Sequence, residues 1–320
     1  MYREIKRLNS YVKSSIGFLN KFNPILKYKI KNGLTIFTFH DVTEEPSEFT
    51  KDHGLSLRVE QFYNHIKWVN NNFEIIDPST IKDNNKKIPK RAAMITFDDG
   101  FLGAFENAFP ILKDQEIPAL MFLNMKPVIK RTPMLSAFIS YLHKYNSYFN
   151  AHMKKNNIIP PYHLYINPKI MRQALKLIGN IDLEKINIYQ GKLASQEDLE
   201  KWDQESIVNY GNHFFDHWNA KALRSDELED QYELNEIELK KLSSYTGFFA
   251  FTNGKPNTCF DKNNVKLLRY LKAKKLFSSV SGINEDYENF LLGRLSINNN
   301  DKTLNHLWFR LSQTHREKNS

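Results

Sequence analysis

The chain has 320 residues, 41% of them hydrophobic and 25% charged, and 45 Lys+Arg against 36 Asp+Glu give a formal net charge of +9. The apolar fraction excludes a disordered chain, 12 Gly and 12 Pro exclude a fibrous or low-complexity one, and a single Cys excludes a disulfide scaffold or a Cys-rich zinc module. The basic balance points to nucleic acid, a membrane surface or a phosphorylated or acidic substrate, or else to a solvated basic surface with no partner.

Residues 1–33 carry Arg3, Lys6, Arg7, Lys13, Lys21, Lys27, Lys29 and Lys31. They contain no unbroken apolar run followed by a small-residue cleavage site. No stretch approaches the roughly 18 apolar residues of a spanning helix, so the expected address is cytoplasmic. Ile5, Leu8, Val12, Ile16 and Leu19 recur at three- and four-residue spacing, which predicts a basic amphipathic helix ended by Pro24. Its apolar stripe either packs on the protein's own body or lies on an anionic bilayer, as a peripheral contact at the inner membrane face.

Strands are predicted at 34–39, 73–76, 92–97 and 118–123, with helices at 59–69 and 102–112 between them. Residues 82–90 read as a polar basic loop. This alternation predicts an α/β domain with parallel strands over residues 34–320. From about 125 to 200 the pattern is helical and polar, with Pro160-Pro161 inside it, and reads as a helical insertion. Alternation resumes with strands at 207–210, 248–251, 276–280 and 290–296 and helices at 227–244, 263–273 and 301–312. No internal repeat is present.

Two motifs carry chemistry. In Thr96-Phe97-Asp98-Asp99-Gly100 an apolar strand delivers two carboxylates to its C-terminal end, where parallel α/β folds place their active sites. Adjacent residues point apart, so one carboxylate can hold a metal while the other takes a proton. The plainer alternative is a solvated turn that caps the next helix. In His213-Phe214-Phe215-Asp216-His217 two His four apart can share one metal, or one of them can be structural. Phe214 excludes the HExxH zinc-protease pattern. Together, one carboxylate and two His make a facial metal site with open positions, and the second carboxylate is left as a base.

These motifs resemble those of the polysaccharide deacetylases with a NodB homology domain, carbohydrate esterase family 4. Residues 96–100 match the family's Thr-Phe-Asp-Asp-Gly. His213 and His217 match its His-Ser/Thr-x-x-His, with Phe214 in place of Ser/Thr. Thr38-Phe39-His40-Asp41-Val42, the segment from Gly54-Leu55-Ser56 to Gln61-Phe62, Phe249-Ala250-Phe251-Thr252-Asn253-Gly254 and Leu291-Leu292-Gly293-Arg294-Leu295 look like further family segments. The resemblance covers roughly residues 34 to 300, with the central insertion unmatched.

It implies a distorted (β/α) barrel, often of seven strands. It also implies Asp98 as general base and Asp99, His213 and His217 as ligands of a divalent metal, usually zinc. Amide hydrolysis then releases an acid and an amino sugar. The family's base-orienting Arg-Pro-Pro-Tyr and acid-supplying Leu-x-His have no equivalent here, and Thr252 stands where the family form has Pro. His40 is a substitute acid, and Asp41 a weaker one. Arg294 is expected to bind a substrate phosphate, orient a carboxylate or form a salt bridge. Trp202 and Trp218 are expected either to stack on a sugar or to pack in the core, with Trp218 taken as the substrate contact. His53, His65, His143, His152, His163, His306 and His315 have no ligand spacing and read as surface or core.

Three functions are in play. The first is a metal-dependent sugar N-deacetylase whose substrate is a nucleotide- or lipid-linked saccharide, which the +9 charge suits. A deformylase of a lipid-linked formamido sugar is its variant. The second is a weak or inactive carbohydrate-binding relative. The third, nucleic-acid binding, is not expected, because no basic cluster supports it.

Overall fold

The structure is a computed structural model that describes residues 2–82 and 87–313, with side chains from residue 8 onward. His315, part of the 82–90 loop and the side chains of Arg3, Ile5, Lys6 and Arg7 lie outside the described residues.

The strands, in chain order, are β1 (Leu34–Phe39), β2 (Asp41–Val42), β3 (Ser56–Leu57), β4 (Glu74–Ile75), β5 (Ala92–Asp98) and β6 (Ala119–Leu123). They continue as β7 (Val208–Asn212), β8 (Tyr245–Ala250), β9 (Leu276–Ser278), β10 (Ile283–Asn284), β11 (Leu291–Gly293) and β12 (Leu295–Ser296). β1, β5 and β6 are buried at every position. A parallel strand covered on both faces needs apolar residues on both, which is why these runs lack alternation.

The main sheet runs β10-β1-β5-β6-β7-β8-β9-β11, and β12 returns to pair with β1. All pairs along it are parallel except β10 on β1. β11 and β12 are one strand interrupted at Arg294. Its first half pairs with β9 and its second with β1, so the sheet nearly closes into a distorted barrel. Asn284 laces the seam: its Nδ2 donates to the carbonyls of Leu34 (3.1 Å) and Gly293 (2.9 Å), and its Oδ1 accepts from Gly293 N–H (2.8 Å).

The strand expected at 73–76 shrinks to the two-residue β4, an outer stub on β5. Asp77 and Pro78 cap a 3-10 turn directly after it and end the pairing. The helix expected at 102–112 is present from residue 102 to 114, with a π-turn, Ala104–Ala108, inside it.

The helices are α1 (Tyr2–Asn20), α2 (Pro24–Asn32), α3 (Glu48–His53), α4 (Val59–Asn72) and α5 (Phe109–Asp114). Between β6 and β7 come α6 (Met125–Lys130), α7 (Leu135–Tyr145), α8 (Ser147–Lys155), α9 (Pro168–Ile178), α10 (Leu183–Gln190) and α11 (Gln196–Asp203). α12 (Ser225–Leu239), α13 (Lys262–Tyr270) and α14 (Leu304–Ser312) complete the fold. Leu135, Ile139, Phe149, Met153 and Met171, from α7 to α9, share one apolar cluster with Phe214, Phe249 and Phe251. The helices between β6 and β7 are thereby anchored beside the C-terminal ends of β7 and β8.

Of the two packings expected for it, the N-terminal helix does not take the one that sets its apolar stripe against the protein's own body. Its contact with α14 uses small and polar residues: a Cβ at Gly17 would lie 1.8 Å from the Asn305 carbonyl oxygen. Ser10 Oγ lies 3.2 Å from His306 Nε2, and Asn20 Nδ2 donates to Ser312 Oγ at 2.7 Å. Only a glycine lets the backbones approach this closely, so the small-residue face docks and Leu8, Val12, Ile16 and Leu19 face outward.

Candidate metal centre and catalytic pocket

The strand–turn at the end of β5 separates the two carboxylates. Asp98 is still extended, whereas Asp99 (φ 74°) and Gly100 (φ 78°) are left-handed. Non-glycine residues rarely adopt that conformation, and such strain concentrates at functional sites. Asp99 N–H donates to the Phe122 carbonyl at 3.0 Å, which holds the turn. Phe214 (φ 62°) and His217 (φ 40°) bend the second motif in the same way.

Asp98 is 5% exposed and faces Arg294, itself 2% exposed. Nη1 and Nη2 of Arg294 donate to the two Asp98 oxygens at 2.7 and 2.8 Å, a bidentate pair, and the guanidinium stands 5.1 Å from the Phe122 ring centroid. Burial pushes the Asp98 carboxyl up, but Arg294 and His213 outweigh it and hold the group below its ordinary range. Of the roles expected for Arg294, the geometry shows a pairing with a carboxylate, while the side chain still lines the pocket. The break between β11 and β12 is what turns it there.

Asp99, His213 and His217 present one ligand atom each, all within 4.8 Å of one another. Both His Nε2 atoms converge on Asp99 Oδ1, at 3.5 Å from His213 and 3.2 Å from His217. His213 Nδ1 lies 2.8 Å from the Ala250 carbonyl, so the proton belongs on Nδ1 and the Nε2 lone pair points into the site. Asp99 Oδ1 is buried with no hydrogen-bond partner, as expected of a waiting ligand atom. Burial raises the Asp99 carboxyl, yet the two histidines and His40 hold it well below its ordinary range. An acid kept ionised, the free Nε2 lone pair of His213 and the His217 ring nitrogen beside them fit a divalent cation.

Three asparagines hold the second motif. Asn212 Oδ1 accepts from Phe214 N–H (2.9 Å) and Asn235 Nδ2 (2.8 Å), while Asn124 Nδ2 reaches the carbonyls of His213 and Phe214. Phe214, where the resembled family has Ser/Thr, turns into the core against Phe249, with ring centroids 4.7 Å apart. Thr252 hydrogen-bonds through Oγ1 to the Trp218 carbonyl.

The three donors and Asp98 line one pocket of about 190 Å³ with His40, His53, Ser136, His163 and Arg294. His40 follows β1, adjacent to β5, and its Nδ1 is buried without a partner. Burial lowers its pKa, while Asp99 and Asp98 pull it back up. Asp41 is not in this pocket: it accepts from Ser56 Oγ at 2.9 Å, and burial pushes its carboxyl up to about 6. Trp218 is not there either. It faces a separate groove with Lys126, Phe138 and Met171, while Trp202 packs on Phe109 at 5.3 Å. Sequence spacing missed His53 and His163, whose rings are 6.2 Å apart at the pocket wall. His53 ends α3, and His163 lies in the 3-10 turn between α8 and α9. Burial lowers the His163 pKa to about 4.

A family model described as polysaccharide deacetylase matches residues 85–275, more than half of the chain. The chain belongs to the polysaccharide deacetylase family. YxkH of Bacillus subtilis, named as a polysaccharide deacetylase, is 30% identical over 101 residues, 30% of this chain and 33% of that protein. The poly-beta-1,6-N-acetyl-D-glucosamine N-deacetylase of Escherichia coli is 26% identical over 93 residues, 28% of this chain and 13% of that protein. The chain thus aligns with a third or less of these relatives' length. The structure of the Streptococcus pyogenes deacetylase PplD superposes with a TM-score of 0.59 at 13% identity, covering 88% of this chain and 99% of that one. IcaB from Ammonifex degensii gives 0.57 at 16% identity, covering 87% and 97%. At such identities these likenesses establish the fold of this chain, and its chemistry rests on its own residues.

Proposed function

We propose that this chain is a metal-dependent hydrolase that removes an N-acetyl group from an amino sugar within a polysaccharide or its lipid- or nucleotide-linked precursor. One observation carries the reading: a carboxylate clamped by arginine, Asp98, lies beside the Asp99–His213–His217 donor set in one pocket. Asp99 Oδ1 and the Nε2 atoms of His213 and His217 would hold the cation, and this nitrogen–oxygen set suits zinc. When bound, such a cation polarises the amide carbonyl and makes a water acidic enough to attack at neutral pH.

Asp98 takes the proton from the water as its oxygen bonds to the acyl carbon. Arg294 keeps that carboxylate ionised and fixes its plane, so the accepting oxygen is aimed before substrate arrives. The C–N bond then breaks as the imidazolium form of His40, the group at the neighbouring strand end, gives its proton to the nitrogen, and Asp98 passes the proton it took from water back to His40. The products are acetate and a free amine. Ser136 and His163, from the helices between β6 and β7, stand where the sugar ring would enter and would shape substrate choice.

An inactive binding relative rests on a missing general acid and a missing orienting arginine, and the Arg294–Asp98 pair weighs against the second of these grounds. The test is amine release from N-acetylated glucosamine oligomers before and after chelation. Activity lost on chelation and regained with zinc supports the proposal. Activity indifferent to chelator, with no metal retained, overturns it.

A further inference from the structure

We propose that α1 and α2 form a docking face for an anionic phospholipid surface. The helical period places Leu8, Val12 and Leu19 opposite Gly17, and Gly17 is buried against α14. Leu8 is 65% exposed, Leu19 69%, Phe22 59% and Ile25 66%. Phe18 packs edge-on to Phe22 at 5.7 Å, so the apolar strip continues through the bend between α1 and α2. Exposed apolar residues are ordinary when scattered, but a continuous strip along two helices marks a contact surface.

Charge selects the occupant. Residues 8–40 contain Lys13, Lys21, Lys27, Lys29 and Lys31 and no Asp or Glu. Lys21 and Lys27 flank the Phe22 ring at 5.9 and 5.8 Å, and Lys13 leaves the other side of α1, over Phe309. Glu285 neutralises Lys29 and leaves the others. A second copy of the chain would bring lysine against lysine. A bilayer with anionic headgroups accepts the side chains of Leu19, Phe22 and Ile25 below its headgroup layer and the lysines within it. No helix among the described residues is long and apolar enough to cross a membrane, so the face would lie on the surface. This proposal does not depend on the catalytic reading, and its test uses no activity.

The experiment is sedimentation of the full chain with vesicles of phosphatidylcholine alone and of phosphatidylcholine mixed with phosphatidylglycerol. The expected result is binding to the mixed vesicles that weakens with salt. Val12→Ser/Leu19→Ser/Phe22→Ser should lower partitioning by at least about tenfold, because binding scales with buried apolar area. Lys21→Gln/Lys27→Gln should cost about fivefold per lysine on the mixed vesicles alone. No partitioning into mixed vesicles, or binding by either variant equal to that of the wild type, would overturn the proposal. A dimer by light scattering that the serine variant converts to monomer would also overturn it, in favour of a second copy.

Discussion

Replacing Arg294 with Gln should expose how the base is held. Asp98 is 5% exposed and has its two oxygens on Arg294 at 2.7 and 2.8 Å. Removing one partner of a buried, bidentate pair leaves the other charge uncompensated, which costs about 3–5 kcal/mol. For a chain of this length that is a drop in melting temperature of about 5 °C. The sign of the pH dependence follows from the two opposing influences. With Arg294 the Asp98 pKa lies below its ordinary value, so the pair's stabilisation is present above that value and lost as pH falls through the lowered one. Without Arg294 burial prevails and the pKa rises. The stability gap between wild type and Arg294→Gln should therefore narrow on acidification. The acid limb of the amine-release rate should move to higher pH, and at neutral pH kcat should fall by about a hundredfold. Arg294→Lys restores charge without the fork and should recover only part of the loss. Thermal melts and rates measured across pH decide the matter. A gap that does not change with pH, or an unmoved acid limb, would refute the orienting role.

Asn235 is fully buried, with Nδ2 on the Leu123 carbonyl and Asn212 Oδ1 and with Oδ1 accepting from Met125 N–H, each at 2.8 Å. Asn235→Leu should cost about 3 kcal/mol, or about 4 °C in a thermal melt, by stranding those groups. Asp41 has its carboxyl raised from 3.8 to about 6 by burial, so its contribution to stability is present below the ordinary pKa and lost as pH rises through the folded one. Asp41→Asn should therefore gain on wild type between about pH 4 and 7 by up to about 3 kcal/mol, and parallel denaturation curves would contradict this.

The barrel was legible because strands covered on both faces must be apolar throughout. The runs 34–39, 92–97 and 118–123 are short, apolar and bounded by Gly, Asp or Pro. The paired carboxylates and the His pair were legible for a second reason, since each motif is local and ends a strand. What depends on contacts distant in sequence was not legible. Arg294 was expected to orient a carboxylate among other roles, but nothing in the sequence showed that its partner is Asp98, 196 residues away, which it meets where the closing strand breaks. His53 and His163 reach the pocket from separate helical segments and carry no mutual spacing. Trp218, one residue past His217, faces a separate groove, with its carbonyl held by Thr252. On α1 the apolar period was clear, but a period cannot tell a docked face from a free one. Gly17, whose backbone must lie against Asn305, decided it.

The most direct test of the catalytic reading is Asp98→Asn, with bound metal and amine release measured on the same preparation. An amide in that place keeps the shape and leaves Asp99, His213 and His217 intact, but cannot take a proton. The expected result is wild-type metal content with a rate at least about a hundredfold lower at neutral pH. Retained activity, or metal lost together with the carboxylate, would contradict the assignment of Asp98 as the base.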